Sequence, residues 1–311
     1  MTVRDLRAVR RTRRRQPAQT ATPARPRAAT KHPRHALRKI RVQRPSRLVY
    51  LVLLAVAFFS VFPFYYSVVV ASQDNAVLSQ VPPPLVPGGN LLANIERAFG
   101  SVPMTRALIN SFVVAGSITV SVVFFSTLAG FAFAKLRFRG RQALLLVIIA
   151  TMMVPTQVGI IPLYLLMAKF QLVGKLPAVI VPSMVSGFGV FFMTQYLRTA
   201  IPTTLIEAAR ADGCSTAKIL WHVVRPIAQP AAAVLATLTF MSAWNDFFWP
   251  LVALNPDDPT VQVALSTLSG SFVSDFSLSL AGAAIATVPL LLLFAVLGRK
   301  IISGIMHGTP R

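Results

Sequence analysis

Six apolar runs, each of about 20 residues or more, dominate this sequence of 311 residues. An α-helix rises about 1.5 Å per residue, so about 20 apolar residues cross a hydrocarbon core of roughly 30 Å. Each run therefore predicts a membrane-spanning helix, and the fold class is an all-α integral membrane protein. The six predicted spans cover residues 48–71, 107–134, 142–168, 178–197, 231–254 and 278–297.

Positive charge is distributed unevenly and predicts the orientation of these spans. Residues 1–47 contain 16 of the 31 Lys and Arg residues, and the segments on the same predicted side raise that number to 27. The opposite side has four. Because Lys and Arg next to spans are retained on the cytoplasmic side, both termini are predicted to be cytoplasmic.

The composition divides the chain into three parts. Residues 1–47 are basic, contain five prolines and have few residues that could form a core, so they are predicted to be a disordered cytoplasmic tail. The tail is expected to lie against anionic lipid headgroups. It has no aromatic residue to stack on bases, so no nucleic-acid partner is expected. Residues 48–303 form the predicted transmembrane domain, and residues 304–311 a short cytoplasmic C-terminus.

Several spans contain residues that break helices or allow close helix packing. Prolines at 63, 155, 162, 182 and 289 each remove a backbone donor inside an apolar run. Such breaks are compatible with ordinary kinked packing, and their number favours a bundle that moves. In the second span, Ser117 and Ser121 are spaced i, i+4, as are Ser126 and Gly130, which predicts positions where another helix approaches closely.

The segment between the fourth and fifth spans has the pattern of a helical hairpin. Thr204 and Glu207 have the spacing of a capping box that starts a helix, and Gly213 is placed to end it in the left-handed conformation. Ser215 can cap a second helix, which is expected to stop before Pro226.

The predicted second hairpin helix has an apolar stripe at helical spacing, formed by Ile219, Leu220, Val223 and Val224. An apolar face on a soluble protrusion is typical of a surface that binds a partner. The alternative is that this stripe packs back onto the protein itself.

One segment and several flanking blocks resemble a known family. Residues 207–213 and the proline at 226 resemble the EAA loop of permease subunits of bacterial ATP-binding-cassette (ABC) importers. The matching residues are Glu207, Ala208, Ala209, Asp212, Gly213 and Pro226. The blocks 153–157, 188–192 and 244–251 resemble the maltose-type carbohydrate permeases, in particular their second, MalG-like subunit. The resemblance covers about residues 90–303, and Arg225 departs from it because the family usually has Leu there.

The resemblance implies a type I ABC importer permease in the bacterial plasma (inner) membrane, translocating a sugar or oligosaccharide. It implies that the EAA loop, residues 202–230, docks on an ATPase subunit. The implied partners are a second permease subunit, two ATPase subunits (a homodimer), an extracytoplasmic sugar-binding protein, the sugar and membrane lipids.

The residues that could carry catalysis or bind nucleotide or metal are missing from the sequence. Gly174-Lys175 lacks the preceding glycine of a phosphate-binding loop, and the four His residues have no metal-ligand spacing. The nine carboxylates form no obvious pair. We therefore expect no enzyme, no metal and no cofactor bound by this chain, with ATP and Mg used by the partner subunits.

One acidic residue, Asp246, lies within a predicted span. Ionisable groups inside a membrane are candidates for function. Asp246 is predicted to lie in the outer half of the membrane, and with Asn110, Gln157 and Asn245 it is a candidate for the translocation path or its gate. The alternative is that Asp246 and Asn245 cap or connect neighbouring helices.

The loop of residues 255–277 contains no Lys or Arg and is predicted to face outward. The resemblance implies that it helps to dock the binding protein, through Asp257, Asp258 and Thr260. Its residues 259–266, with Val261 and Val263 alternating, are expected to form a short extended finger, the alternative being a plain solvated loop.

Four other functions remain as alternatives. An ABC importer of a non-sugar solute would have the same EAA loop. An ion-coupled secondary transporter would have buried acids in several spans, and a membrane enzyme would have clustered His, Asp or Glu at one membrane face. A scaffold would not need the broken helices.

Overall fold

The computed structural model describes residues 46–79, 81–270 and 275–306, without the side chains of 79 and 297–306. The predicted tail, apart from residues 46–47, and the C-terminal residues 307–311 lie outside the described residues. The chain divides after Val52 into two units, and of the first only residues 46–52 are described, as the exposed start of a helix.

The described secondary structure is entirely helical. Thirteen α-helices are joined by short 3₁₀ segments at Asn75–Ser79 and Thr156–Gly159 and by a π-helical turn at Leu220–Val224. In chain order the α-helices are α1 (Arg47–Ala71), α2 (Leu91–Ser101), α3 (Met104–Lys135), α4 (Arg141–Thr151), α5 (Ile160–Lys169), α6 (Pro177–Ser183), α7 (Gly187–Ala200), α8 (Thr203–Ala211), α9 (Thr216–Ile219), α10 (Arg225–Trp244), α11 (Phe248–Ala253), α12 (Val261–Ser269) and α13 (Phe276–Met306).

Six membrane spans are compatible with the helices in the described part of the chain. Five helical stretches are long and apolar enough to cross alone: Arg47–Ala71, Met104–Lys135, Pro177–Ala200, Thr216–Trp244 and Phe276–Val296. The sixth is a pair, Arg141–Thr151 and Thr156–Lys169, bent by 90°. The predicted third span is therefore a broken one, because Pro155 leaves the helix no backbone donor at the bend.

The predicted fifth span was wrong at both ends. A helix runs from Thr216 to Trp244 without a break, although the sequence predicted that the hairpin helix stops before Pro226 and that the span reaches Leu254. In the π-helical turn immediately before Arg225, the backbone hydrogen bonds reach back five residues instead of four. The pyrrolidine of Pro226 then falls in the first turn of α10, where a backbone donor is not needed.

Helix α3 lies at the centre of the packing, against α7 and α10. Ser126 and Gly130 both face α7 and are buried, which confirms them as close-packing positions. A Cβ on Gly130 would lie 2.7 Å from the Cβ of Met193. Ser117 and Ser121 are only half-buried.

A second cluster joins α10 to α12 and α13. Trp244 is almost fully buried, stacks on Phe240 with ring centroids 5.6 Å apart, and donates its indole N–H to the carbonyl of Ala286 at 3.2 Å. This bond satisfies the polar end of an otherwise apolar side chain. The end of α10 is thereby attached to the last span.

Candidate translocation cavity and coupling hairpin

A cavity of about 880 Å³ opens where three helix breaks meet. These are the bend between α4 and α5, the break between α6 and α7, and the break between α10 and α11. Irregular backbone at membrane depth is tolerated where it is buried in protein or lines a water-filled cavity. The polar side chains in its wall are Thr151, Thr156, Gln157, Ser183, Ser186, Thr239, Ser242 and Asp246.

Local sequence explains each break. Pro155 is extended, with ψ 129°, immediately before the 3₁₀ segment. Ser186 is the N-cap of α7, and its hydroxyl accepts a hydrogen bond from the Gly189 N–H at 3.2 Å. Asp246 follows the end of α10, and its carboxylate lies next to the backbone N–H groups of Phe248 and Trp249 at the start of α11. A short polar side chain that accepts from free N–H groups stabilises the start of a helix.

Two of the four predicted path residues, Gln157 and Asp246, line the cavity. Asn110 and Asn245 do not. Asn110 is buried and donates to the carbonyl of Pro259 at 3.1 Å, so it connects α3 to the segment before α12. Asn245 donates to the carbonyl of Met241 at 2.8 Å and accepts from Gln262 of α12 at 3.3 Å. It therefore connects the end of α10 to α12, which is the alternative to a role in the translocation path.

The sequence analysis missed the hydroxyl groups of the cavity wall. Thr239 and Ser242 lie three residues apart on one face of the end of α10, and Asp246 follows four residues later, just beyond that end. That spacing, in an otherwise apolar helix, was the available signal. Ser183 and Ser186 had no comparable signal, because only the break between α6 and α7 brings them to the cavity.

The predicted coupling hairpin is formed by α8, α9 and the turn between them. Gly213 has φ +77°, which confirms the left-handed position, and the hydroxyl of Ser215 accepts from the Lys218 N–H at 3.4 Å. The predicted capping box is wrong. Pro202 precedes the first residue of α8, so Thr204 lies inside the helix, and no side chain caps it.

The apolar stripe of the hairpin packs on the protein's own core, not on a partner. Ile219 and Val224 are at most 1% exposed, beside Ile206 of α8, and belong to the large cluster with α3 and α7. Leu220 and Val223 pack against the same cluster as half-buried residues. The expectation of an exposed apolar face is therefore wrong, because two short helices can bury their apolar sides only on the bundle.

The family-matched residues lie mainly on the outside of the hairpin. Glu207, Ala208, Asp212, Gly213 and Pro226 are exposed, and Ala209 is half-buried with its carbonyl accepting from the Cys214 N–H at 2.9 Å. Beyond these, Trp221 is half exposed, and the guanidinium of Arg225 lies 5.0 Å from the centre of its ring. The free surface of the hairpin is thus polar and carries both signs of charge, with exposed acids and with exposed Arg210 and Lys218, and an aromatic–cation pair lies beside it.

The predicted docking loop is helical where a finger was expected. Residues from Val261 onward form α12, and Thr260 is 3% exposed. Thr260 is therefore buried and not available to a docked protein. Asp257 is exposed, and Asp258 forms an ion pair with Arg106 at 2.6 Å.

Comparison with known proteins decides the family. The model of the "binding-protein-dependent transport system inner membrane component" family matches residues 123–302, more than half of the chain. The chain belongs to this family. It is therefore a multi-pass permease of the inner membrane and the membrane component of a multi-subunit ABC importer, not itself catalytic. No group of three or more His, Cys, Asp or Glu residues that could hold a metal occurs in the part the structure describes.

The relatives of the permease are transport proteins of the same kind. It is 36% identical over 200 residues to the arabinooligosaccharides transport system permease protein AraQ of Halalkalibacterium halodurans, covering 64% of this chain and 71% of the relative. It is 30% identical to the lactose transport system permease protein LacG of Rhizobium radiobacter, covering 83% and 93%. It is 34% identical to the sn-glycerol-3-phosphate transport system permease protein UgpE of Escherichia coli, covering 65% and 74%.

A solved structure has the same fold. The crystal structure of a bacterial ABC transporter involved in the import of the acidic polysaccharide alginate matches with a TM-score of 0.72, covering 82% of this chain and 98% of that one. At 24% identity this likeness concerns the fold. The predicted ABC importer permease fold is confirmed.

Proposed function

We propose that this permease translocates a sugar or oligosaccharide delivered by an extracytoplasmic binding protein, and that the α8–α9 hairpin couples this movement to ATPase subunits. The observation that carries the proposal is a continuous helix. Residues Thr216–Trp244 join the hairpin directly to Thr239 and Ser242 in the wall of the cavity. A displacement of the hairpin would therefore reach the cavity wall without passing through a flexible joint.

The chemistry of the cavity supports a polyhydroxylated solute. Its wall presents hydroxyl groups, one amide and one carboxylate among apolar side chains. Groups that both donate and accept hydrogen bonds are suited to sugar hydroxyls. Two of the relatives reported above are named for arabinooligosaccharides and for lactose, which favours a sugar. The relative named for sn-glycerol-3-phosphate makes a phosphorylated polyol the second candidate.

The partners follow from the same arrangement. The cavity is open on one side, and the bend of residues 152–159 is exposed there. Because irregular backbone does not face lipid, we assign this side to a second permease subunit. Two identical ATPase subunits, with ATP and Mg bound to them and none to this chain, would bind the hairpins. Asp257 at the opposite end of the bundle is the residue of the predicted docking loop that remains accessible to a binding protein.

In this mechanism the chain has two conformations and the ATPases supply the free energy that switches between them. Closure of the ATPase dimer displaces the hairpin and rotates α10, which moves Thr239 and Ser242 relative to Gln157 across the cavity. Hydrolysis restores the first conformation. The contacts that sugar makes in the two conformations differ, so its movement is coupled to the ATPase cycle.

The test is a charge reversal in the hairpin, Glu207→Lys, in the assembled transporter. Because Glu207 is exposed, the substitution leaves the bundle intact and alters only the docking surface. We expect sugar uptake to fall at least about tenfold, as buried partner charges become mismatched. The matched control is Glu96→Lys, an exposed acid on α2 far along the chain from the hairpin, which should keep uptake.

A second variant, Gly213→Val, tests the same assignment through the backbone. A β-branched residue at φ +77° costs about 1–3 kcal/mol and distorts the turn between α8 and α9. Normal uptake in both hairpin variants would contradict coupling through this hairpin. Competition between radiolabelled oligosaccharide and glycerol-3-phosphate in wild-type vesicles decides the substrate class.

A further inference from the structure

The turn between α3 and α4 concentrates positive charge at the predicted cytoplasmic side of the bundle. Four cations occur within seven residues, Lys135, Arg137, Arg139 and Arg141, with no acid between them. We call residues 135–141 the basic turn. None of its cations belongs to the coupling hairpin or lines the translocation cavity, and the proposed transport function does not use them.

The basic turn is concave. It borders an open depression of about 520 Å³, lined by residues 137–138 and 140–143. Two of the four cations, Arg137 and Arg141, are therefore wall residues of a pocket and not simply points on a convex surface. A pocket of this size accommodates a phosphate-bearing headgroup.

The cations of the basic turn are not neutralised by any acid among the described residues. The amine of Lys135 donates to the Arg198 carbonyl at 3.0 Å, and the guanidinium of Arg141 donates to the Leu136 carbonyl at 3.1 Å. Both acceptors are uncharged. The two ion pairs within the described ranges involve other cations, those at positions 97 and 106. Arg137 and Arg139 are exposed.

An apolar wall adjoins this charge. Phe138 is 40% exposed, with its ring 5.7 Å from that of Phe133, and it lines the pocket with the arginines. Immediately beyond, α4 exposes Leu144, Leu146 and Val147 on the surface of a membrane span. The site therefore presents cations next to a surface that faces acyl chains. An anionic phospholipid has this combination of phosphate and hydrocarbon, and a free phosphate has only the charge.

We propose that the basic turn binds the headgroup of an anionic phospholipid from the cytoplasmic leaflet. The phosphate is bound by the guanidinium groups of Arg137, in the pocket wall, and of Arg139, which is exposed on the same turn outside the wall. Their planar geometry suits a phosphate, and Phe138 lies against the start of the acyl chains. The bound headgroup neutralises like charges that otherwise repel one another within a single turn. It also fixes the beginning of α4, the first half of the bent span.

The experiment measures phospholipid retention by the purified, assembled transporter. The detergent-solubilised complex is titrated with phosphatidylglycerol or with phosphatidylcholine, and bound lipid is counted by native mass spectrometry. We expect phosphatidylglycerol to bind more tightly than phosphatidylcholine to the wild type. The double variant Arg137→Gln/Arg139→Gln should weaken phosphatidylglycerol binding about five-fold for each arginine removed.

Two further variants distinguish the possible ligands. Lys169→Gln/Lys175→Gln removes the same charge from exposed lysines at the predicted outer side and should keep the wild-type affinity. Phe138→Ser keeps all four cations and removes the apolar wall, so it should weaken lipid binding while leaving any competition by inorganic phosphate unchanged. Both arginines and the phenylalanine are exposed enough that these variants are expected to assemble, which co-purification of all subunits checks.

The proposal is overturned by any of three results. Equal affinity for the two lipids, or no loss in the double arginine variant, would mean non-specific association. Displacement of phosphatidylglycerol by inorganic phosphate with no effect of Phe138→Ser would mean a free-anion site. Loss of the ATPase subunits from the double variant, with lipid retained, would mean a protein-docking surface.

Discussion

A close contact between two helices in the core leads to a quantitative prediction for Gly130→Ala. The added methyl group would lie 2.7 Å from the Cβ of Met193 and 3.0 Å from the backbone atoms of Met193 and Thr194. None of these atoms belongs to the far end of a flexible side chain, so α3 and α7 must separate. The same two helices also touch at Ser126 and Gly189, which resists the separation. Overpacking of this kind costs about 1–3 kcal/mol.

The matched control is Gly116→Ala in the same helix. A Cβ at Gly116 has no neighbour within 4 Å, so this variant gains helix propensity without a clash and should be stabilised by about 0.5–1 kcal/mol. The assay is thermal unfolding of the purified transporter, followed by loss of a native band or of intrinsic fluorescence. We expect Gly130→Ala to unfold at a lower temperature than wild type, and Gly116→Ala at the same temperature or a higher one. If the two variants are equally stable, the close packing of α3 on α7 is wrong.

Three other substitutions test separate parts of the structure. Ser186→Ala removes the N-cap of α7 and should destabilise the permease by about 1 kcal/mol in the same unfolding assay, with Ser186→Thr retaining most of the stability. Trp244→Phe loses the hydrogen bond to Ala286 and should cost about 1–2 kcal/mol, so an unchanged unfolding temperature would count against that bond. Asp257→Cys in a Cys214→Ser background should react with a membrane-impermeant thiol reagent from the outer side in intact cells; reaction only after permeabilisation would reverse the topology.

The spans and the hairpin turn could be predicted because their signals are local. An apolar run of sufficient length specifies a membrane helix whatever packs beside it. Gly213 was correctly placed in the left-handed region because only local backbone geometry is involved. These features depend on neighbours within a few residues, which a sequence displays directly.

The fifth span shows how a local rule fails. A proline normally ends a helix at the preceding residue, and Pro226 was interpreted in that way. The π-helical turn before Arg225 accommodates the ring, and packing of Ile219 and Val224 on the bundle stabilises the continuous helix. That packing depends on α3 and α7, which are distant in sequence, so the hairpin's own residues could not reveal it.

Helix α12 was missed for a different reason. The alternation of Val261 and Val263 suggested an extended segment, whereas Val261, Ala264 and Leu268 follow the helical spacing of three and four residues. All four are buried. The sequence is thus compatible both with the two-residue spacing of a strand and with the three- and four-residue spacing of a helix. Packing against α3 and α13 determines which of the two forms.

The cavity is the feature that the sequence predicted least. Its wall combines residues from three breaks that are far apart in the chain, and only Asp246 and Gln157 were anticipated among its polar groups. A break can be predicted from proline and glycine. Whether two breaks lie side by side depends on helix packing, which a single sequence does not contain.

The uninterrupted helix from Thr216 to Trp244 has a mechanical consequence. Its 29 residues make a rod of about 44 Å, so a tilt of about 10° around its midpoint moves each end by about 4 Å in opposite directions. The same rod tilted around a pivot nearer the membrane centre moves its two ends unequally, in the ratio of the two arm lengths. The position of the pivot therefore sets how far the outer end moves for a given displacement of the inner end.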